Sequence, residues 1–276
     1  MVESRETAGA RAAPPTVGRV SAGAELHEST DRYYTAYYRD TLGIPDWSVL
    51  VQLRRQEETQ ERGRLARLEA LLGAGALRGR VLNVGCGTGG FNAAAAAAGA
   101  RVVGVDADAD AIAICALRRG AGLGFTRAAG EALPFSAGAF DLVHCFSVIE
   151  HVASVEATVA EMVRVTRPGG VIYVHTPNAW SWWEGHYKVF WAPFLPGPLA
   201  RAYLTLRGRP TAYLATLRRL TVARLRRAFA RAGATSATLH DDTPARESVG
   251  PLRTLTGAYY RVTGTSPFIE LVVRKP

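Results

Sequence analysis

Residues 81–92 decide the fold of this chain, and they read Val81-Leu82-Asn83-Val84-Gly85-Cys86-Gly87-Thr88-Gly89-Gly90-Phe91-Asn92. The apolar start of this segment predicts a buried parallel strand, and the run from 91 to 98 predicts a helix that stops at Gly99. The glycines between the two elements allow positive φ angles and let a ligand come close to backbone N–H groups. The segment therefore predicts a ligand-binding turn, and the free N–H donors at the helix start suit an anionic group.

A second predicted strand ends at Asp106, which lies about twenty residues after the first glycine and is placed to accept hydrogen bonds from both ribose hydroxyls. The glycine spacing fits two cofactors. Gly85 and Gly87 together with Gly90 satisfy the G-x-G-x-x-G pattern of dinucleotide-binding proteins. The same two residues together with Gly89 satisfy the G-x-G-x-G pattern of methyltransferases that use S-adenosylmethionine (SAM). The glycine segment alone leaves both cofactors open.

Composition limits the class of protein. The 276 residues carry a net charge of +9 and an apolar fraction of 48%, which is enough for one large core. No run of eighteen apolar residues and no apolar N-terminal segment occurs, so we expect neither a transmembrane helix nor a secretory signal. The basic residues lack the interleaved aromatic pattern of nucleic-acid modules, and no nucleic-acid partner is expected. Three cysteines without metal or disulfide spacing predict buried thiols in a reducing cytoplasm, namely Cys86, Cys115 and Cys145.

The chain divides into a tail and one domain. Residues 1–24 are rich in Ala, Gly, Pro and Arg and predict a disordered tail, whereas residues 25–276 predict a folded domain. Residues 25–72 predict N-terminal helices, with a single long helix over 47–72. Tyr33 and Tyr37 share one helix face, where they either pack a core or cover a bound ligand as a lid.

From residue 81 to residue 177 the predicted strands and helices alternate, which indicates a doubly wound parallel sheet. Residues 179–215 interrupt this alternation and hold four of the five tryptophans. We weigh three roles for this aromatic insertion: a lid over a substrate pocket, which is favoured, a peripheral membrane contact, or a packing or dimer contact. Residues 241–265 separate the last two predicted strands and are too long for a tight hairpin, which predicts a substrate loop.

Seven segments, in this order and spacing, resemble the class I SAM-dependent methyltransferases, in particular the ubiquinone-biosynthesis type of small-molecule O-methyltransferase. A nicotinamide enzyme has no reason to carry the later segments of this set. The segments are Val84-Gly85-Cys86-Gly87-Thr88-Gly89, Asp106, Glu131-Ala132-Leu133-Pro134-Phe135, Phe140-Asp141-Leu142-Val143, Ile149-Glu150-His151-Val152, Arg164-Val165-Thr166-Arg167-Pro168-Gly169-Gly170 and Thr176-Pro177-Asn178.

This resemblance implies SAM as the cofactor and a Rossmann-like, doubly wound α/β sheet of seven strands whose last strand is antiparallel. It also implies a set of cofactor-binding residues: Gly85, Cys86, Gly87 and Gly89 against the methionine part, Asp106 on the ribose, Ala107 beside the adenine, Glu131, Ala132 and Leu133 along the adenine edge, and Ser147 at the methionine end. One position departs from the family pattern. Relatives often carry an aspartate two residues before the glutamate, and this chain has Ala129 there.

Methyl transfer from a sulfonium centre needs an aligned nucleophile and a base. His151 follows the fourth predicted strand at its carboxyl end, where ligands bind in open α/β sheets, and is our candidate general base; a purely structural histidine is the alternative. His186 is a second catalytic candidate. Some relatives bind a divalent metal through Glu-x-x-Glu-His at this place, but Ser147 stands where the first carboxylate would be, so we predict no required metal.

The aromatic insertion and the N-terminal tyrosines supply the candidate substrate-binding residues, which are Tyr33, Tyr37, Trp182, Glu184, His186 and Tyr187. We expect a small-molecule acceptor and favour O-methylation of a hydroxyl on a natural product, sugar or quinol. N- or C-methylation and a non-catalytic SAM-binding partner protein are the alternatives. The oligomeric state stays open.

Overall fold

The structure, a computed structural model, describes residues 22–118, 120–240 and 251–276. Residues 1–21 of the predicted disordered tail lie outside the described residues, and the first helix already begins at Ala22 rather than after residue 24. Within the described ranges, no helix is both long and apolar enough to cross a membrane.

A seven-stranded sheet forms the centre of the described chain, with the strand order β3-β2-β1-β4-β5-β9-β8. The pairs from β3 to β5 are parallel, and β9 runs antiparallel to both of its neighbours. This topology confirms the predicted Rossmann-like α/β fold with an antiparallel last strand. The strands are β1 (Arg80–Val84), β2 (Arg101–Asp106), β3 (Leu123–Arg127), β4 (Phe140–Phe146), β5 (Thr166–Pro177), β8 (Ser236–His240) and β9 (Phe268–Arg274), and a separate hairpin is formed by β6 (Trp183–Glu184) and β7 (Val189–Phe190).

Helices cover both faces of the sheet because the parallel strands carry apolar residues on both sides. Val81 packs with α3 and α4 on one face, and the next residue, Leu82, packs with α6 and α8 on the opposite face. The helices are α1 (Ala22–Thr35), α2 (Trp47–Arg54), α3 (Glu57–Leu72), α4 (Gly90–Ala97), α5 (Ala109–Cys115), α6 (Val155–Val165), α7 (Gly197–Leu206), α8 (Val222–Arg231) and α9 (Pro251–Thr263).

Hydroxyl side chains cap two helices at their N-termini. The Ser154 hydroxyl accepts a hydrogen bond from the backbone N–H of Ala157 at 3.2 Å, and the Thr221 hydroxyl accepts one from Arg224 at the same distance. Such side chains satisfy N–H groups that the first helical turn leaves unpaired. The three cysteines are buried free thiols, as predicted.

Two sequence predictions need correction. The single helix predicted over 47–72 is two helices, α2 and α3. Between them, Arg55 forms an ion pair with Asp31 of α1 at 2.5 Å, and α3 then packs against the sheet. The substrate loop predicted over 241–265 is not a loop in its described part. Residues 241–250 lie outside the described residues, and α9 follows from Pro251, held to the insertion where the Tyr260 hydroxyl accepts a hydrogen bond from the backbone N–H of Trp182 at 3.0 Å.

The N-terminal helices and the aromatic insertion pack against each other. Tyr34, Tyr38 and Val51 share one hydrophobic cluster with Tyr187 from the β6–β7 hairpin and Leu204 from α7. We call these combined elements, residues 22–54 and 183–216, the cap. The two segments predicted separately as lids therefore form one layer.

A buried ion pair ties the N-terminal helices to the glycine turn. Glu57, at the start of α3, pairs with Arg118, and both side chains are less than a tenth exposed. The Thr88 hydroxyl donates to the Glu57 carboxylate at 3.0 Å, and the Arg118 Nε donates to the Thr88 carbonyl at 2.5 Å. The glycine turn is thereby held from the N-terminal side as well as by the sheet.

We expect Glu57→Gln to lower the free energy of unfolding by about 2 kcal/mol, because a hydrogen bond to a buried charged group contributes roughly that much. Urea denaturation of the full chain measures the change. Glu58→Gln is the matched control, since Glu58 binds the same arginine but its side chain is 52% exposed, and exposed pairs contribute less than about 1 kcal/mol. Equal effects of the two substitutions would contradict the assignment.

Candidate active site

The turn after β1 is closely packed on one side and open on the other. Gly85 has a φ of 71°, and a Cβ at this position would lie 2.1 Å from a methyl group of Val148, so only glycine fits. Its N–H donates to the Val105 carbonyl at 2.8 Å, which clamps the turn to β2. Around Gly87, with φ of 52°, a Cβ would come within 4 Å only of the Tyr34 hydroxyl. The turn therefore leaves room for a ligand against its backbone.

Asp106 ends β2 beside this turn. One carboxylate oxygen accepts a hydrogen bond from the Gly87 N–H at 2.8 Å, and the other accepts one from the Asp108 N–H at 3.0 Å. These bonds fix the orientation of the carboxylate, and each oxygen keeps a lone pair for a further donor. The arrangement suits two adjacent hydroxyl groups of a ribose.

A cavity of about 590 Å³ opens above the glycine turn, and we call it the cofactor cavity. Its described lining includes the carboxylates of Asp106 and Glu131 and contains neither arginine nor lysine. A dinucleotide would bring an anionic pyrophosphate next to these carboxylates, whereas SAM brings a sulfonium and an ammonium group. The charge of the lining therefore fits SAM and disfavours the dinucleotide.

Six of the ten predicted cofactor residues line the cofactor cavity, namely Gly85, Gly87, Asp106, Ala107, Glu131 and Ser147. The remaining four lie elsewhere. Cys86 packs against Gly104 of β2, Gly89 begins α4 against Phe125, Leu133 is buried in the core, and Ala132 is exposed. Contact between these four residues and the cofactor stays a prediction.

Ser147 lies where β4 ends and has a φ of 53°, an uncommon conformation for a residue other than glycine. Its N–H donates to the His175 carbonyl at 2.8 Å, which ties this strained position to β5. Such strain occurs often at ligand-binding positions. Ser147 lines the cofactor cavity and also a second cavity beside it.

The second cavity, which we call the acceptor cavity, has a volume of about 420 Å³. It shares Tyr37, Ser147 and His151 with the cofactor cavity, so these three residues mark the junction of the two spaces. A further cavity of about 390 Å³ behind Glu150 and His186 shares no described lining residue with the cofactor cavity. The acceptor cavity is therefore the space from which a second substrate would meet the cofactor.

His151 stands at this junction and is half-buried. Burial, followed by the nearby charge of His186, lowers its pKa to about 3, so the ring is neutral at pH 7. The Tyr213 hydroxyl lies 3.4 Å from the ring nitrogens of His151 and 2.7 Å from the Tyr37 hydroxyl. A neutral imidazole next to a hydroxyl pair can accept a proton from a bound substrate.

His186 has a different environment. Its Nδ1 lies 2.7 Å from a carboxylate oxygen of Glu184, and its Nε2 lies 3.8 Å from Glu150. Burial opposes protonation of His186, but the hydrogen bond to Glu184 and the charges of both carboxylates outweigh it and raise the pKa. Glu150 is fully buried, and burial raises its pKa to about 7 despite the nearby His186. The two histidines, 4.9 Å apart between ring centres, thus favour opposite protonation states.

Burial of the ionised Glu150 carboxylate disfavours the folded state, and we expect this effect to depend on pH. A carboxyl whose folded-state pKa is raised from 4.5 to about 7 favours the folded state below pH 4.5, and this contribution is lost as pH rises toward 7. As pH rises through this window, the free energy of unfolding of Glu150→Gln should therefore increase relative to that of the parent chain by about 2 kcal/mol. Urea titrations at several pH values measure this difference. A difference independent of pH would contradict the buried acid, and Glu156→Gln, on the exposed side of α6, is the control.

Glu150, His151 and His186 also present ligand atoms within 4.8 Å of one another. One carboxylate and two imidazoles are a donor set for divalent transition metals. His186 already lies 2.7 Å from Glu184 and 3.8 Å from Glu150 in the structure. That no metal is required stays a prediction.

We expect the purified chain to contain well under one equivalent of transition metal and to keep its melting temperature in EDTA. Elemental mass spectrometry and thermal unfolding measure these two quantities. A stoichiometric metal that EDTA removes, with a fall in melting temperature that added Zn²⁺ reverses, would overturn the prediction.

The predicted substrate residues separate into two groups. Tyr33 and Tyr37 line the cofactor cavity, and Tyr37 and His186 line the acceptor cavity. Glu184 acts through its contact with His186. Tyr187 is fully buried inside the cap, and Trp182 contacts the Tyr259 ring of α9 edge-to-face, so neither lines the two cavities. Substrate contact by these two residues stays a prediction.

The sequence-based site lacked several residues of the two cavities, among them Tyr213, Tyr34 and Arg54. Tyr213 lies near the end of the insertion in a short 3₁₀ turn, the Tyr34 hydroxyl lies 3.2 Å from the Thr88 hydroxyl, and Arg54 ends α2 at the wall of the acceptor cavity. Tyr34 could have been inferred from the paired tyrosines of the N-terminal helix. Tyr213 and Arg54 have no local motif, since only the packing of the cap brings them to the site.

Comparison with known proteins supports the same family. A model of the methyltransferase domain matches residues 82–174. An uncharacterized methyltransferase of Mycolicibacterium gilvum is 33% identical over 144 residues, which cover 51% of this chain and 48% of the relative. The demethylmenaquinone methyltransferase of Beutenbergia cavernae is 37% identical over 98 residues, which cover 35% of this chain and 39% of the relative. The chain therefore spans less than half the length of these curated relatives.

Solved structures share the fold. A SAM-dependent methyltransferase from Mesorhizobium loti superposes with a TM-score of 0.54 at 19% identity, covering 76% of this chain and 96% of that one. Phosphoethanolamine N-methyltransferase 2 of Haemonchus contortus, in complex with SAM, superposes with a TM-score of 0.55 at 17% identity. The superposition covers 78% of this chain and 52% of that one. Residues 82–174 therefore match a methyltransferase domain, and the described chain has the Rossmann-like fold of SAM-dependent methyltransferases.

Proposed function

We propose that this chain transfers the methyl group of SAM to a hydroxyl of a small molecule held in the acceptor cavity. The observation that carries the proposal is the junction at His151, where a neutral imidazole borders both the cofactor cavity and the acceptor cavity. When bound, SAM supplies an electrophilic methyl group on its sulfonium centre. The residues of the chain align the acceptor and receive its proton.

A weakly basic His151 is compatible with this role. As the acceptor oxygen bonds to the methyl carbon, positive charge builds up on that oxygen and its proton becomes strongly acidic. A weak base that is neutral at pH 7 is then sufficient to take the proton. The hydroxyl pair of Tyr37 and Tyr213 orients the imidazole and excludes bulk water from one side.

His186 has a supporting role in this proposal. Its contact with Glu184 raises its pKa, and its charge adds to burial in lowering the pKa of His151. The proton accepted by His151 can pass toward Glu150, which lies 3.9 Å from the His151 Nε2 and 3.8 Å from the His186 Nε2. Glu150 is thus an internal acceptor for the released proton.

The test starts with calorimetric titration of S-adenosylhomocysteine, with NADH as the control. Micromolar or tighter binding of S-adenosylhomocysteine without binding of NADH is expected. SAM labelled with ¹³C in the methyl group is then incubated with a panel of phenols, quinols and sugars, and NMR distinguishes O-, N- and C-methyl products. Preferential binding of NADH would refute the proposal, and products methylated only on nitrogen or carbon would refute the hydroxyl acceptor.

A further inference from the structure

The described wall of the acceptor cavity contains cations and aromatic rings but no carboxylate. Arg54, Lys188 and three histidines line it, together with rings that include Phe146 and Phe268. The cofactor cavity next to it shows the opposite charge pattern, with two carboxylates and no arginine or lysine in its described lining. The two halves of the site are therefore built for groups of opposite charge.

Arg54 is the most informative member of this wall. It is largely buried at the end of α2, and its Nε donates to the Tyr38 hydroxyl at 2.9 Å. Its guanidinium lies over the Tyr34 ring at 4.6 Å and over the Tyr38 ring at 5.9 Å. Hydrogen bonding and ring stacking thus hold the guanidinium in one orientation at the cavity wall.

No carboxylate of the described residues forms an ion pair with Arg54. Two carboxylates of α3 lie near Arg54, but each forms its ion pair with another arginine. Glu57 pairs with Arg118, and Glu61 pairs with Arg64 at 2.5 Å. A buried charge without a close counter-ion is costly, and buried arginines normally bind a carboxylate or phosphate. The terminal nitrogens of the guanidinium form no hydrogen bond with the described residues, which leaves its bidentate edge for a ligand.

We propose that the methyl acceptor carries an oxyanion, a carboxylate or a phosphate on a planar, largely apolar body, and that Arg54 binds this oxyanion while the body packs against the aromatic rings of the cavity wall. This inference rests on the proposed function, since it names the substrate class of the same site. Lys188, on the turn between β6 and β7, adds a second positive charge at the cavity wall. The volume of about 420 Å³ accommodates one substituted aromatic ring with its anionic group.

The experiment compares three ligands on the full chain saturated with S-adenosylhomocysteine: 4-hydroxybenzoate, phenyl phosphate and the uncharged 4-hydroxybenzamide. We expect at least one anion to bind 10-fold or more tightly than the amide, measured by calorimetry, because a charge-assisted bidentate contact has that strength. The anion that binds more tightly identifies carboxylate or phosphate as the recognised group. Equal affinity for all three ligands would overturn the inference.

Variants then identify the residue responsible. Arg54→Gln should abolish the preference for the anion, whereas Arg55→Gln should keep it, because Arg55 is the next residue but is exposed and pairs with Asp31. Unchanged affinity for S-adenosylhomocysteine shows that the variants are folded. If Arg54→Gln does not fold, Lys188→Gln decides, since its side chain is exposed, and it should reduce the preference at least threefold. A preference that survives in a folded Arg54→Gln chain would overturn the assignment.

Failure of this inference can be distinguished from failure of the proposed function. A chain that binds S-adenosylhomocysteine but shows no preference for either anion keeps its methyltransferase function and loses only the anionic acceptor. A chain that does not bind S-adenosylhomocysteine refutes the proposed function, and the inference with it.

Discussion

Asp106→Ala is expected to weaken binding of S-adenosylhomocysteine by roughly 10²- to 10³-fold. The substitution removes two carboxylate oxygens that face the cofactor cavity, and each charge-assisted hydrogen bond to a ribose hydroxyl contributes about 1.5–3 kcal/mol. It also frees the N–H groups of Gly87 and Asp108, which the carboxylate now holds at 2.8 and 3.0 Å. Calorimetric titration of the folded variant measures the change.

Asp106→Asn is the finer variant, because the amide keeps one oxygen acceptor and should lose less affinity than the alanine. Asp110→Asn is the matched control, since Asp110 lies four residues further on, at the exposed start of α5, and should bind as the parent does. A folded Asp106→Ala chain with parental affinity would remove the ribose contact from the proposal.

The central fold was accessible from sequence because its signals are local. Apolar runs, the glycine turn and Asp106 follow one another within a short segment, and each element packs next to its neighbour in the chain. The hydroxyl caps of Ser154 and Thr221 are equally local, since each accepts a hydrogen bond from a backbone N–H three residues further along the chain. The number of strands and the antiparallel direction of the last strand then followed from the family resemblance.

The cap was less accessible, because its order depends on contacts between distant parts of the chain. Tyr37 meets Tyr213 across 176 positions, and no periodicity in either segment reports that hydrogen bond. The break between α2 and α3 is equally non-local, since it accompanies the contact of Arg55 with α1. Arg54 and Tyr213, which only the packing of the cap brings to the two cavities, therefore escaped the sequence analysis.

The catalytic candidates illustrate the same limit. The motif Glu150-His151 marked the position of a base, but the protonation states depend on His186, which the insertion brings within 4.9 Å between ring centres. From sequence, His151 was the preferred base and His186 the second candidate, but nothing in the sequence distinguished their protonation states. The structure separates them by burial and by the carboxylate of Glu184, which contacts only one of the two.

His151→Ala is expected to lower kcat by about 10²- to 10³-fold while affinity for S-adenosylhomocysteine changes little. General-base catalysis contributes a factor of this size, and the cofactor is otherwise held by the glycine turn and Asp106. The measurement is the turnover of ¹³C-labelled SAM with the acceptor found in the labelled-methyl screen. His240→Ala is the control, because His240 lies in β8 and lines neither the cofactor cavity nor the acceptor cavity.

The pH profile decides which histidine accepts the proton. A base with a pKa of about 3 is neutral throughout the physiological range, so protonation of His151 should cause no fall in kcat/KM between pH 8 and pH 5. Glu184 and Glu150 raise the pKa of His186 above 6.5. If His186 were the base, kcat/KM would therefore fall as the pH drops through that pKa. Titration of Glu150 near pH 7 is separated from either effect by repeating the profile in Glu150→Gln. A fall above pH 6.5 that persists in Glu150→Gln, together with full activity of His151→Ala, would transfer the role of base to His186.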